Sequence, residues 1–271
     1  MVEYRMNYGA KRIVCLTEET TEALYLMGEQ ERIVGISGFT VRPSIARKEK
    51  PKVSAFTSAK IDKILALKPD LVLAFSDMQA DITAELVRAG LQVHVFNQRS
   101  IDEIFAMLYS LGGLIGEPAK AAKLIAEYQQ NIINCQQLAA NYKKKPRVYF
   151  EEWDEPLIST IKWVAELVEI AGGIDCFPEL SAQAGGKDRI IADPQRVVQQ
   201  QPDIIIGSWC GKKFRAKRVA DREGWSQIPA VQNNQIFEIK SVDILQPGPA
   251  ALTDGLEQLQ QIIKQWVEQY G

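Results

Sequence analysis

Two charged runs, one thiol and a scatter of aromatics are the residues of this chain whose types could do chemistry. Glu151, Glu152, Asp154 and Glu155 form an acidic run, and Lys212, Lys213, Arg215, Lys217 and Arg218 form a basic run with no acid between them. Grouped carboxylates can pair with cations or coordinate a hard metal through oxygen. Ammonium and guanidinium groups can face an anionic ligand group, although a basic run is also an ordinary solvated face. The sharper expectation is that Lys212 or Lys213, with Arg42, faces an anion, and that the acidic run pairs with these cations across a cleft. Nucleophilic chemistry has thinner support. Cys210 and the single histidine, His94, could form a pair, but no G-x-S-x-G, no G-x-G-x-x-G after a strand and no P-loop occurs. Glu151 and Glu152 are adjacent, so on an extended segment they point to opposite faces and do not act together. One histidine and no C-x-x-C spacing leave no metal site of the usual kinds. The chain therefore reads as a binding protein without catalytic residues.

The elements that must position these groups follow from periodicity. Residues 118–142 read as one helix, because Ala121, Ile125, Tyr128, Ile132, Cys135, Ala139 and Tyr142 recur in steps of three and four. Pro118 suits its first turn. At 1.5 Å per residue such a helix spans roughly 35–40 Å. On one side of it, strands are expected over 12–16, 33–37, 71–74 and 93–96. Helices are expected over 17–27 (with Thr17 as cap), 61–67, 81–89 and 101–115. On the other side, strands are expected over 148–150, 204–207 and 236–239, and helices over 162–171, 194–200 (with Asp193 as cap) and 250–270. Residues 38–59 and 151–160 read as long loops. This alternation implies α/β architecture: two Rossmann-like lobes with mostly parallel sheets, joined by one long rigid helix. The expected division is 1–117 for the N-terminal lobe, 118–142 for the connecting helix and 143–271 for the C-terminal lobe. An internal repeat supports two halves: residues 64–73 (ILALKPDLVL) resemble 197–206 (VVQQQPDIII).

A net charge of −2 supplies no basic field for nucleic acid, and no apolar run approaches a membrane span. Residues 1–10 (MVEYRMNYGA) have no apolar core and no cleavage site. A cytoplasmic location is the expectation, with a periplasmic one as the alternative if the start is truncated. Cys15 and Cys135 fall in apolar-periodic segments and read as buried thiols. A Cys176–Cys210 disulfide is left open.

Open α/β sheets bind ligands outside the carboxyl ends of their strands. The loops expected there mix aromatics with polar groups, as a sizeable organic ligand requires. Phe39, Phe56, Phe75, Trp153 and Trp209 are the wall candidates; Arg42, Lys212 and Gln246 are polar candidates. Ordinary packing of a loop onto its sheet would account for each aromatic equally well.

Several stretches together carry a family resemblance: 32–37 (RIVGIS), 64–72 (ILALKPDLV), 163–173 (WVAELVEIAGG), Pro202-Asp203-Ile204-Ile205 and Gln246-Pro247-Gly248-Pro249. On these the chain resembles the helix-linked class of ABC-transporter substrate-binding proteins, which holds cobalamin, ferric-siderophore and haem binders. Its cobalamin-binding, BtuF-type branch looks most similar. The resemblance implies a ligand in a groove between the lobes, a cobalamin-like corrinoid or another metal chelate, with no covalently held cofactor. It also implies an ABC permease as partner. By position, the groove aromatics of the cobalamin binders correspond to Phe39, Phe56 and Phe75, while Arg42 stands where those binders have an aromatic. The family engages its permease through one acid per lobe. Asp62 matches the first, and the second position is the uncharged Gln195. The alternative reading is a cytoplasmic chaperone or sensor that binds an anionic or metal-chelate small molecule without docking on a permease.

Overall fold

The structure, a computed structural model, describes residues 9–271. The chain divides into two compact units, one ending at Glu127 and the next beginning at Tyr128.

The first unit is built on a five-stranded, wholly parallel sheet: β1 (Ile13–Cys15), β2 (Ile33–Ser37), β3 (Lys52–Ser54), β4 (Leu71–Phe75) and β5 (Val93–Phe96), in the order β3-β2-β1-β4-β5. Its inner strands β1 and β4 are short apolar runs buried at every residue, as in a parallel sheet covered on both faces. Val14, Leu16, Val53, Ile64, Val72, Ala74, Ile82 and Leu86 form one core cluster. β3 lies inside the expected loop 38–59. It is a three-residue edge strand with one large apolar side chain, Val53, which is too little pattern to read from sequence.

The second unit carries β6 (Arg147–Asp154), β7 (Leu157–Ser159), β8 (Ile174–Asp175), β9 (Ile204–Gly207) and β10 (Ile236–Glu238). The order is β10-β9-β6-β7, with β8 pairing the start of β6; only the β6–β7 pair is antiparallel. The stretch 151–160, expected as a polar loop, is instead the outer half of β6, a turn at Glu155-Pro156, and β7. Its acids mask the strand pattern in sequence. In the fold each finds a cation.

The Pro-Asp repeat has the same geometry in both units. Asp70 accepts backbone N–H bonds from Lys11 and Arg12, each at 2.9 Å, and Asp203 accepts one from Arg147 at 2.9 Å. Arg12 Nε donates to Lys68 O at 3.1 Å, and Arg147 Nε donates to Gln200 O at 2.8 Å. Each arginine thereby satisfies carbonyls orphaned at the end of the preceding helix, Ile61–Ala66 or Gln195–Gln200. Lys68 (φ +48°) and Gln201 (φ +46°) both adopt the left-handed conformation that ends these helices, immediately before the proline. The carboxylate then sets Ile13 opposite Leu71 and Val148 opposite Ile204.

The long helix spans Pro118–Ala139 and stops three residues short of the expected end, where Asn141 and Tyr142 donate to Leu138 and Ala139 in a turn. Its buried stripe is Ala121, Leu124, Tyr128, Cys135 and Ala139. In the first unit it packs so closely on the helix Ile101–Leu114 that a Cβ on Gly112 would lie 2.4 Å from the Ala121 Cβ. The chain closes with a π-helical turn, Ala251–Gly255, leading into the helix Leu256–Tyr270, which buries Leu256, Leu259, Ile263 and Trp266. Among the described residues, no helix is long and apolar enough to cross a membrane. All four cysteines are free thiols; Cys15, Cys135 and Cys176 are buried and Cys210 is exposed.

Replacing Asp203 with Ala removes a charge-assisted bond to the start of β6, worth about 1.5–3 kcal/mol. Urea unfolding should show that loss in the transition midpoint, with Asp203→Asn retaining part of it through its remaining acceptor oxygen.

Candidate functional site

Each sheet has a topological switch point, where the chain leaves its central strand in opposite directions, and the crevice there is the usual ligand position of an open α/β sheet. In the first unit it lies beyond β1 and β4. In the second it lies beyond β6 and β9.

Around the first switch point the loop after β2 is held from three sides. Glu18 accepts a bond from the Val41 N–H at 3.1 Å, Glu22 pairs with Arg42 Nε at 2.7 Å, and Arg47 donates to the carbonyls of Gly38 (2.6 Å) and Thr40 (2.8 Å). This fixed loop presents Phe39, 62% exposed, and an exposed Val41. Phe56 is half-buried on the loop after β3. Phe75 is only 6% exposed and is covered by the Arg99 guanidinium, 5.2 Å from the ring centroid. The turn after β4 presents Met78, 52% exposed. Arg42, expected to face an anion, is committed to Glu22. Asp62 is exposed in the first turn of the helix Ile61–Ala66.

The helix Glu18–Leu26 brings three glutamates to this point, all buried. Glu18 and Glu19 lie in the first turn, where carboxylates suit the helix dipole, yet the fold buries them along with Glu22. Burial pushes both Glu18 and Glu19 up to about 7. Thr17, expected to cap this helix, gives its hydroxyl to Glu19 Oε1 at 2.6 Å and makes no cap bond. Burial also pushes the Cys15 thiol up to about 12, which leaves it unreactive.

Around the second switch point the charges are paired. Glu151 accepts both guanidinium nitrogens of Arg222 (2.6 and 2.8 Å), the indole N–H of Trp209 (3.0 Å) and the hydroxyl of Tyr149 (3.0 Å). Burial and the adjacent Glu151 hold the Tyr149 hydroxyl well above its ordinary range. Glu152, on the opposite face of β6, pairs with the buried Arg189. Asp154 takes Lys212 at 2.6 and 2.8 Å, with Arg218 at 3.5 Å, and Arg218 also reaches Glu155 at 3.1 Å. The Lys212 ammonium lies 5.3 Å from the Trp153 ring centroid and 5.4 Å from that of Trp209. Gly207 leaves room for the Phe214 ring, which would sit 1.9 Å from any Cβ there.

These contacts revise the expectations for the charged runs. The acidic run does pair with cations, but within the second unit rather than across a cleft, and Lys212 is thereby taken up by Asp154. A hard-metal role for the run has no free carboxylate set, and among the described residues no cluster of three His, Cys, Asp or Glu could hold a metal. Lys213, Arg215 and Lys217 remain exposed. Trp209 is 4% exposed and packs edge-on against Phe214, so little of its ring could meet a ligand. Trp153 is half-buried and donates to Glu155 O at 2.9 Å. Gln246 is half-buried and its carbonyl accepts from the Gly248 N–H at 2.8 Å. Met78 and Gln79 lie in the turn after β4, at the carboxyl end where binding loops are expected, yet are not among the sequence candidates; nor are Arg189 and Arg222, for which no local signal exists.

The family model described as periplasmic binding protein matches residues 13–242. An ABC transporter substrate-binding lipoprotein of Bacillus subtilis is 27% identical over 93% of this chain and 80% of its own length. The vitamin B12-binding protein of Vibrio cholerae serotype O1 is 26% identical over 93% of this chain and 88% of its own. A possible iron-binding, periplasmic solute-binding protein of Staphylococcus epidermidis superposes with a TM-score of 0.81 at 24% identity, covering 94% of this chain and 98% of that one. The family and these relatives are binding proteins, not enzymes. They also overturn the cytoplasmic location expected from residues 1–10, since the relatives are a lipoprotein and periplasmic proteins. Of those ten residues, 1–8 lie outside the described residues. The cytoplasmic chaperone or sensor loses its footing with that expectation.

Two measurements check the contrast between paired and unpaired acids. Replacing Arg222 with Met strands a buried Glu151 carboxylate and should destabilise the fold by about 3–5 kcal/mol, with Glu151→Gln in the same chain recovering part of the loss. Glu19, raised above its unfolded value of 4.5, stabilises the fold below about pH 4.5 and loses that contribution as pH rises through about 7. Glu19→Gln should therefore melt higher than wild type at pH 8, and the gap should close at pH 5.

Proposed function

This chain belongs to the periplasmic binding protein family, and we propose from that premise that it is the substrate-binding component of an ABC importer whose ligand is a cobalamin-like corrinoid. The observation that carries the ligand is the likeness to vitamin B12-binding proteins along nearly the whole chain. The physical support is the surface of the first unit, where Phe39, Val41, Phe56 and Met78 offer apolar and aromatic area, with the loop of Phe39 and Val41 held by Glu18, Glu22 and Arg47. A large, flat, partly apolar chelate gains most from such a surface. Another metal chelate would gain from the same groups, so the corrinoid is the first member of that class to test.

The permease is the proposed macromolecular partner, with Asp62 as its contact on the first unit. Gln195, exposed at the start of the corresponding helix of the second unit, offers hydrogen bonding without charge. Docking through Gln195 would thus be weaker than through a carboxylate by the difference between a neutral and a charge-assisted bond.

Calorimetric titration with cyanocobalamin and dicyanocobinamide, with haem and a ferric siderophore in parallel, tests the reading. Micromolar or tighter corrinoid binding, about −8 kcal/mol or better, is the expected result. Binding of haem or the siderophore alone would move the ligand to another chelate, and no binding of any would sink the proposal. Phe39→Ala should weaken corrinoid binding roughly tenfold through loss of ring contact. Because Phe39 is so exposed, the melting temperature should barely move.

A further inference from the structure

Gln79 follows β4 by four residues and has no exposed surface. Its side chain reaches three strand ends. Oε1 accepts from the Phe75 N–H at 3.0 Å. Nε2 donates to the Phe56 carbonyl at 2.8 Å and to the Leu16 carbonyl at 3.4 Å. Both N–H donors of the amide are used, and the orientation is fixed by its partners. The reversed amide would set Oε1 against two carbonyls and Nε2 against an N–H.

The sheet order makes this contact consequential. β3, which precedes Phe56, is separated from β4 by β2 and β1, so no strand ladder ties the Phe56 loop to the end of β4. That loop is closed on itself, with Ala55 N donating to Ser58 O at 2.8 Å. The turn beyond β4 is under strain: Ser76 has φ +58°, unfavourable for a residue with a Cβ. Its hydroxyl accepts from the Met78 N–H at 3.3 Å, and its carbonyl accepts from the Gln79 N–H at 3.3 Å. Met78 is thereby turned outward. One buried amide holds both the loop that carries Phe56 and the turn that carries Met78.

We infer that Gln79 is a positioning residue for ligand recognition: it fixes Phe56 and Met78 relative to one another, so that affinity depends on a side chain no ligand can touch. This rests on the proposal that these loops take an apolar face of the ligand. Gln79→Met keeps the length of the side chain and removes its three hydrogen bonds.

Hydrogen exchange on the ligand-free protein reads the clamp directly. In Gln79→Met, amides of residues 55–58 and 76–79 should exchange about tenfold faster or more, the effect of leaving buried groups unpaired. Calorimetry with cyanocobalamin and with haem reads the consequence. The dissociation constant of whichever probe wild type binds should rise about tenfold. Val198→Ala, a core change in the other unit, is the stability control: it should lower the melting temperature and leave the dissociation constant unmoved. Unchanged exchange in Gln79→Met overturns the inference. So does an unchanged dissociation constant alongside faster exchange. If wild type binds neither probe, the ligand reading fails by itself. The exchange result then still decides the clamp: faster exchange supports it, and unchanged exchange overturns it.

Discussion

The bond between a carboxylate and the backbone N–H groups at the start of the central strand underlies the architecture of both units. Asp70 and Asp203 each follow a proline that cannot continue the preceding helix, and each accepts from the strand that will become the centre of its sheet. A parallel pair can slip by one residue and send every side chain to the wrong face. Anchoring one end removes that freedom. Arg12 and Arg147 add a second restraint by satisfying the carbonyls at the end of the helix the proline has stopped. With the amino ends of the strands fixed in this way, their carboxyl ends diverge at a defined place, and the loops that leave them become the surface available for binding.

At that surface the two units handle buried charge in opposite ways. The second pairs its acids: Glu151 with Arg222, Glu152 with Arg189, Asp154 with Lys212. Such pairs return much of the cost of leaving water only when their geometry is good, and the bidentate Glu151–Arg222 contact meets that condition. On the first helix of the first unit, Glu22 pairs with Arg42. Glu18 and Glu19 have a backbone N–H and a hydroxyl as partners, which do not offset burial, so they hold their protons to near-neutral pH. The consequence is a second unit whose loop acids are braced by cations, and a first unit whose loops carry the exposed apolar side chains Phe39, Val41 and Met78.

Family membership and the proposed ligand rest on different grounds. Membership in the periplasmic binding protein family rests on a match over most of the chain. The proposed ligand rests on a relative of moderate identity and on side chains whose exposure only the fold reveals. Arg42 illustrates the distance between the two. Its place in the chain marks it as a cation in a binding loop, yet its partner, Glu22, lies twenty residues earlier, and the pair is neutral toward a ligand.

The sequence by itself determined the alternation of strands and helices, the long helix from Pro118, the Pro-Asp repeat and the loops that could carry a site. All of these are local: periodicity within a dozen residues, a proline that stops a helix, an apolar run between turn residues. It also marked the buried character of Cys15 and Cys135. Only the tertiary structure decided the fate of the charges and the aromatics. Strands β3, β7 and β8 are too short or too charged to show a pattern, and they form because a neighbouring strand supplies their hydrogen bonds. Trp209 and Phe75 looked like ligand walls but are almost wholly enclosed, whereas Phe39 and Met78 stand out in solvent. Burial of the acids on the first helix, the pairing of Glu151 with a residue seventy-one positions away and the reach of Gln79 to Phe56 and Leu16 are contacts between distant parts of the chain. Local sequence sets what each side chain can do; the packing of distant segments sets what remains free to do it.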